Sequence, residues 1–190
     1  VDPLDTCLVA PPCSPGRARP GGRSARRKTH VEPDAGQQAE AYFRAAYAAQ
    51  MRGDLHEAVE LYRKSIACVP TAEAHTFLGW ALSFRGDYES AIRECRRAIE
   101  IDPEFGNPYN DIGSYLIALG RPKDAVPWLR KAMGAPRYES RHYPHVNLAR
   151  VYVKLGQIDP AIAQLRVALA IAPHYRPARA EVHRLLGLLN

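Results

Sequence analysis

Four glycines, Gly53, Gly86, Gly120 and Gly156, recur at spacings of 33, 34 and 36 residues, and each closes a stretch of helical apolar periodicity. Their neighbours recur in step. Five positions after each glycine comes Ala58, Ala91, Ala125 or Ala161, and twelve after comes Ser65, Ala98, Ala132 or Ala168. Seventeen after stands Pro70, Pro103, Arg137 or Pro173. Seven before stands Ala46, Gly79, Gly113 or Ala149, and eight before stands Ala45, Leu78, Ile112 or Leu148. A unit of this length cannot bury its own apolar face, so successive copies must stack into one continuous core. That restricts the chain to an all-α array.

Two helices of about 14 residues fit each period, joined by a turn whose glycine takes a positive φ and ends the first helix. Small residues at the Ala46 and Ala58 positions let the two backbones approach closely, and Tyr42, Tyr62, Leu78 and Leu165 fill the remaining space. Asp54 with Glu57 reads as a capping box, and Asn107-Pro108 and Asp159-Pro160 read as an N-cap followed by the first helical residue. Pro127 falls inside a second helix and is expected to bend it or delay its start.

The order bulky, aliphatic–small pair, Gly, Ala, bulky, Ala, Pro resembles the tetratricopeptide repeat (TPR). The resemblance covers four units, about 39–71, 72–105, 106–141 and 142–175. An amphipathic segment over about 176–189, carrying Val182, Leu185, Leu186 and Leu189, reads as a capping helix. The third unit departs from the pattern, with Arg137 in place of proline and two extra residues before the fourth unit. The resemblance implies a right-handed α-α superhelix, a TPR solenoid. Its concave surface, lined by the first helix of each pair, would bind peptides, helices or whole domains.

The chain's 190 residues, 46% of them hydrophobic, suffice for one ordinary domain. Of the net charge of +6, residues 1–30 carry +4, so the repeats are nearly balanced. Residues 1–36 are rich in Pro, Gly, Arg and Ser and read as a disordered basic leader, leaving 37–190 as the folded domain. The run from Arg17 to Lys28 has no interleaved aromatics, which favours a flexible tail over a nucleic-acid contact. No apolar run approaches the roughly 18 residues that would span a bilayer. Asp2 and Asp5 stand where a signal peptide carries positive charge. Cys68 and Cys95 fall on apolar helix faces, while Cys7 and Cys13 lie in the leader, so the cysteines read as reduced and the location as cytoplasmic.

Helical spacing and the geometry implied by the resemblance place Phe43, Tyr47 and Met51 on the inner face, then Phe77, Trp80 and Phe84. Asn110, Asp111 and Ser114 follow from the third unit, and Asn147, Arg150 and Lys154 from the fourth. The expected partner-binding groove is Tyr47, Trp80, Asn110, Asp111, Asn147 and Arg150. Amides both donate to and accept from a peptide backbone, an arginine pairs with an acidic side chain, and aromatics supply apolar contact at small entropic cost. Phe77 and Phe84 also suit packing against a neighbouring unit. The carboxylate clamp of co-chaperones in this family is absent, because its positions are held by Phe43, Tyr47, Phe77, Asn107 and Asp111, or by Thr76, Trp80, Asp111, Tyr143 and Asn147.

His142 and His145 stand one turn apart without a third ligand at a recognisable spacing, so solvated helix-start residues are the simpler reading. Glu57 and Glu60 read as solvated surface charges. No Gly-rich phosphate loop, G-x-S-x-G or CxxC occurs. No enzyme activity, cofactor, metal or small-molecule substrate is therefore expected. The leading expectation is a protein–protein interaction module, an adaptor or assembly factor with a protein or peptide partner. The alternatives are a structural subunit that uses its outer face or array ends, with self-association, and, more weakly, a nucleic-acid-associated protein acting through the leader.

Overall fold

The computed structural model describes residues 34–188, which form nine helices. These are α1 (Ala35–Arg52), α2 (Leu55–Cys68), α3 (Ala72–Phe84), α4 (Tyr88–Ile101), α5 (Asn107–Ala118), α6 (Pro122–Gly134), α7 (His142–Lys154), α8 (Ile158–Ile171) and α9 (Arg176–Gly187). Residues 1–33, with Cys7, Cys13 and the Arg17–Lys28 run, lie outside the described residues. Helix α1 opens at Ala35, within the expected leader, because the Asp34 carboxylate caps it by accepting from the Gln37 amide at 2.8 Å.

The four periodic glycines sit at the ends of α1, α3, α5 and α7 with φ of 88°, 78°, 73° and 72°. A Cβ built on any of them meets no atom within 4 Å, so conformation and not crowding selects glycine there. Crowding selects it elsewhere. A Cβ on Gly113 would lie 2.4 Å from Leu129 Cδ2, and one on Gly79 would lie 3.1 Å from the Ala91 carbonyl oxygen.

Several helix starts differ from expectation. Asp54 makes no capping bond; it and Glu57 instead accept from the Arg52 guanidinium, each at 3.2 Å. The cap of α5 is Gly106, one residue before Asn107, and the cap of α8 is Gln157, two before Asp159. Asn107 and Asp159 are thus inside their helices, where a short polar side chain no longer faces the free amides. Pro127 does not delay α6, which begins at Pro122 and runs through it. Pro127 is exposed, so the carbonyl deprived of its partner one turn earlier can turn to water.

Each odd-numbered helix packs on the even-numbered helix that follows, and each even one on the next odd one. The odd helices α1, α3, α5 and α7 also touch one another in succession, whereas the even ones meet sparsely or not at all. One layer is therefore tight and the other splayed. The array must curve with the odd helices inside. Tyr62, Phe77, Ile112, Tyr115, Leu129, Leu165 and Leu185 are among the largest fully buried side chains and are spread from α2 to α9. Helix α9 closes it by burying Ala178 and Leu185 against α8.

At the irregular third unit the chain is stapled by the residue that replaced proline. The Arg137 guanidinium stacks 4.2 Å from the Phe105 ring centroid and pairs with Glu73 at 2.7 Å and Asp102 at 2.6 Å. Its backbone exchanges bonds with Glu104 and Gly106. Burial alone would push the guanidinium pKa down; the two carboxylates outweigh it and hold the pKa above its ordinary value.

Candidate functional site: the concave layer

In the first two units the concave layer carries a ladder of rings. Phe43 meets Phe77 edge-on at 4.9 Å, Tyr47 meets Phe77 at 5.7 Å, Phe77 meets Trp80 at 6.0 Å, and Trp80 meets Phe84 at 5.5 Å. The ladder climbs from core to surface. Phe77 is 1% exposed and is core, so it is not the inner-face contact its spacing suggested; Tyr47 and Trp80 are half-buried; Phe84 is 53% exposed. Met51, at the matching place on α1, is 51% exposed. Two successive first helices thus end in large apolar side chains open to solvent.

The third and fourth units are polar and closed. Asn147 Nδ2 donates to Asn110 Oδ1 at 2.9 Å, linking α7 to α5, and Arg150 donates to Asn147 Oδ1 at 3.2 Å. Asn110 Nδ2 in turn donates to Asp111 Oδ1 at 3.3 Å. Asn110, Asp111, Asn147 and Arg150 are all buried, and α5 is buried at every position from Asn107 to Ile117. The four polar residues expected to line the groove are therefore brought together, but as a connected interior network. Asp111 Oδ2 and the Tyr138 hydroxyl are buried without a hydrogen-bond partner among the described residues. Desolvation holds the Asp111 carboxyl well above the usual carboxylate range, against the opposing bond from Asn110. Burial, and then the Asp111 charge, push the Tyr138 phenol up.

His142 is only partly solvated. It lies half-buried against Tyr143 and Tyr175, at ring separations of 4.2 Å and 4.9 Å, and burial lowers its pKa. His145 Nδ1 bonds Gln164 Oε1 at 2.9 Å. No group of three or more His, Cys, Asp or Glu converges among the described residues.

Three polar contacts were missed from the sequence. The Tyr62 hydroxyl donates to Gln50 at 2.9 Å, Ser65 Oγ donates to the Ala39 carbonyl at 2.8 Å, and His75 Nδ1 lies 2.7 Å from Glu94. Desolvation would raise the Glu94 pKa, but the His75 bond and Arg97 outweigh it and hold it below the ordinary glutamate value. A signal for one of them existed. His75 and Glu94 stand 11 before and 8 after Gly86, and His145 and Gln164 stand at the same offsets from Gly156.

Models of the tetratricopeptide repeat match residues 40–67, 72–105 and 144–175, which fall in the first, second and fourth units. The small glutamine-rich tetratricopeptide repeat-containing protein 2 of Mycosarcoma maydis is 33% identical over 82 residues, 42% of this chain. That stretch spans only 23% of the relative's length. Among solved structures, Pseudomonas aeruginosa pilF superposes with a TM-score of 0.74 at 22% identity, over 80% of this chain and 69% of that one. PilW, described as a widely conserved type IV pilus biogenesis factor, gives 0.74 at 23%, over 80% and 70%. MamA of Desulfovibrio magneticus RS-1 gives 0.65 at 20%, over 80% and 85%. At these identities the likeness is one of fold.

Proposed function

We propose that this chain, which belongs to the tetratricopeptide-repeat family, is a non-catalytic adaptor or assembly factor that holds a protein partner against its concave layer. The fold itself supports protein–protein interaction and protein partners. No helix among the described residues is long and apolar enough to cross a membrane.

One observation carries the reading. Phe84 ends an otherwise packed ladder of rings, and Met51 stands at the matching place on the adjacent first helix; each is about half exposed. A rigid aromatic such as Phe84 loses little entropy when covered, and aromatics and methionine are enriched at interfaces. Tyr47 and Trp80 form the floor beneath them. In this proposal Asn110, Asp111, Asn147 and Arg150 act behind the contact surface, tying α5 to α7 and holding the curvature that the partner meets. A direct grip of Asn110 and Asn147 on a peptide gives way to that positioning role, because both side chains are buried and Asn147 donates to Asn110.

The test is affinity capture by the immobilised full chain, compared with a Met51→Ser/Phe84→Ser variant and a Lys64→Ser/Arg97→Ser variant of the outer layer. The inner variant is expected to lose its captured partner while keeping the parent's circular dichroism and melting curve. Retention by the inner variant with loss by the outer one would move the binding surface to the even-numbered helices and refute the proposal.

A further inference from the structure

After three of the four units an aromatic side chain from the linker that follows packs onto the start of that unit's first helix. Phe105 packs on Ala72 and Ala98. Tyr138 packs with Ala132 and lies so close to Gly106 that a Cβ there would stand 2.4 Å from it. Tyr175 packs on His142 with ring centroids 4.9 Å apart. Ala72, Gly106 and His142 each stand 14 residues before their periodic glycine, and so does Ala39. The linker that should cover Ala39 is Val69-Pro70-Thr71, one residue shorter between its proline and the next periodic glycine, and without an aromatic.

The space left is real. A cleft of about 350 Å³ lies there, lined by Ala39, Glu40, Phe43, Ser65, Val69 and Phe77 among others, and its exposed surface is almost wholly apolar. It lies at the small end of ligand-sized pockets, which run from about 300 to 1,000 Å³, and suits one bulky side chain.

The second junction supplies a template for what fits. There the Phe105 ring sits on Ala72, Arg137 stacks on its outer face, and Glu73, the residue after Ala72, holds the guanidinium at 2.7 Å. Glu40 follows Ala39 as Glu73 follows Ala72. Glu40 is 58% exposed and, among the described residues, pairs with Arg44, its neighbour one turn on. Such an exposed pair is weak and exchanges readily for an incoming cation.

We propose that this cleft receives an aromatic side chain with an adjacent arginine, brought by a partner polypeptide. The ring lies on Ala39 against the packed Phe43–Phe77 pair, and the guanidinium covers the ring and pairs with Glu40. Residues 1–33 contain no Phe, Tyr or Trp, so that segment cannot supply the ring. The inference rests on the partner-binding reading above and names a chemistry for part of the partner.

The probe is acetyl-Phe-Arg-amide, titrated to about 10 mM into the isotopically labelled full chain, which detects a complex of millimolar Kd. The expected result is saturable amide shifts at Ala39, Glu40, Ser65 and Thr71. Acetyl-Ala-Arg-amide should bind at least about tenfold more weakly, as an anchor truncation does. Glu40→Gln should remove the preference for acetyl-Phe-Arg-amide over acetyl-Phe-Glu-amide, and Glu40 is exposed enough for the variant to fold. Inserting a phenylalanine between Thr71 and Ala72 should fill the cleft from within and abolish the shifts. Absence of shifts, equal shifts from the alanine peptide, or shifts centred on Met51 and Phe84 would each overturn this inference. The last would leave the proposed concave surface standing. Shifts at the cleft that depend on protein concentration without peptide would assign it to a second copy of the chain and also overturn it.

Discussion

Replacing Gly113 with alanine sets two effects of known sign against each other. Alanine in a helix interior is favoured over glycine by about 1 kcal/mol, from the reduced freedom of the unfolded chain. The new methyl carbon, however, would lie 2.4 Å from Leu129 Cδ2 and 2.7 Å from Cγ, where carbon pairs normally rest at about 3.5–4.0 Å. Leu129 is fully buried and cannot swing into solvent. It must leave its rotamer or push α6 off α5, an overpacking cost of about 1–3 kcal/mol. The sum is a loss of about 0–2 kcal/mol for Gly113→Ala in the parent. In a Leu129→Ala background, itself destabilised by about 2–5 kcal/mol, the obstruction is gone and the same substitution should stabilise by about 1 kcal/mol. Urea titrations of the four proteins close a double-mutant cycle with an expected coupling of about 1–3 kcal/mol. A coupling near zero would mean that α5 and α6 do not touch at this pair, and the close approach that defines each unit would have to be placed elsewhere.

Three further outcomes are expected. Ala91→Leu enlarges a fully buried side chain on α4, whose Ala91 carbonyl already lies close to Gly79 of α3, and should cost about 1–3 kcal/mol by denaturant titration; a neutral result would contradict the α3–α4 contact. Asn110→Ala removes both the bond to Asn147 and the one to Asp111 and should cost about 1–3 kcal/mol, with helix content by circular dichroism retained. The Asp111 carboxyl has a folded pKa above its unfolded one, so the folded state binds the extra proton, and stability falls as pH rises from the usual carboxylate range toward the folded pKa. Asp111→Asn should therefore exceed the parent in stability near neutral pH and lose that advantage below about pH 4, and an advantage equal at both pH values would exclude titration as its cause.

The fold was legible because the glycines that end the first helices and the small residues at the helix crossings are dictated by geometry that every unit shares. Any stack at this period needs the positive φ at Gly53 and the close approach at Ala58, so both recur and can be aligned. Helix starts were less legible, since Asp54 is a competent cap whose carboxylate is drawn instead to Arg52, a choice local sequence does not encode. The concave layer divided in the same way. Helical spacing correctly put Asn110 and Asn147 on adjacent helices of one layer, but spacing says which residues meet and not whether the meeting leaves either one accessible. Tyr138 escaped notice because it stands 18 residues after Gly120, one short of the 19 that separate Phe105 from Gly86 and Tyr175 from Gly156. Once that shift is allowed, three junctions carry a ring and the first does not. The repeat then informs twice: where it holds it specifies the stack, and where it lapses, at Ala39, it leaves a cleft whose complement the chain has already built at Ala72.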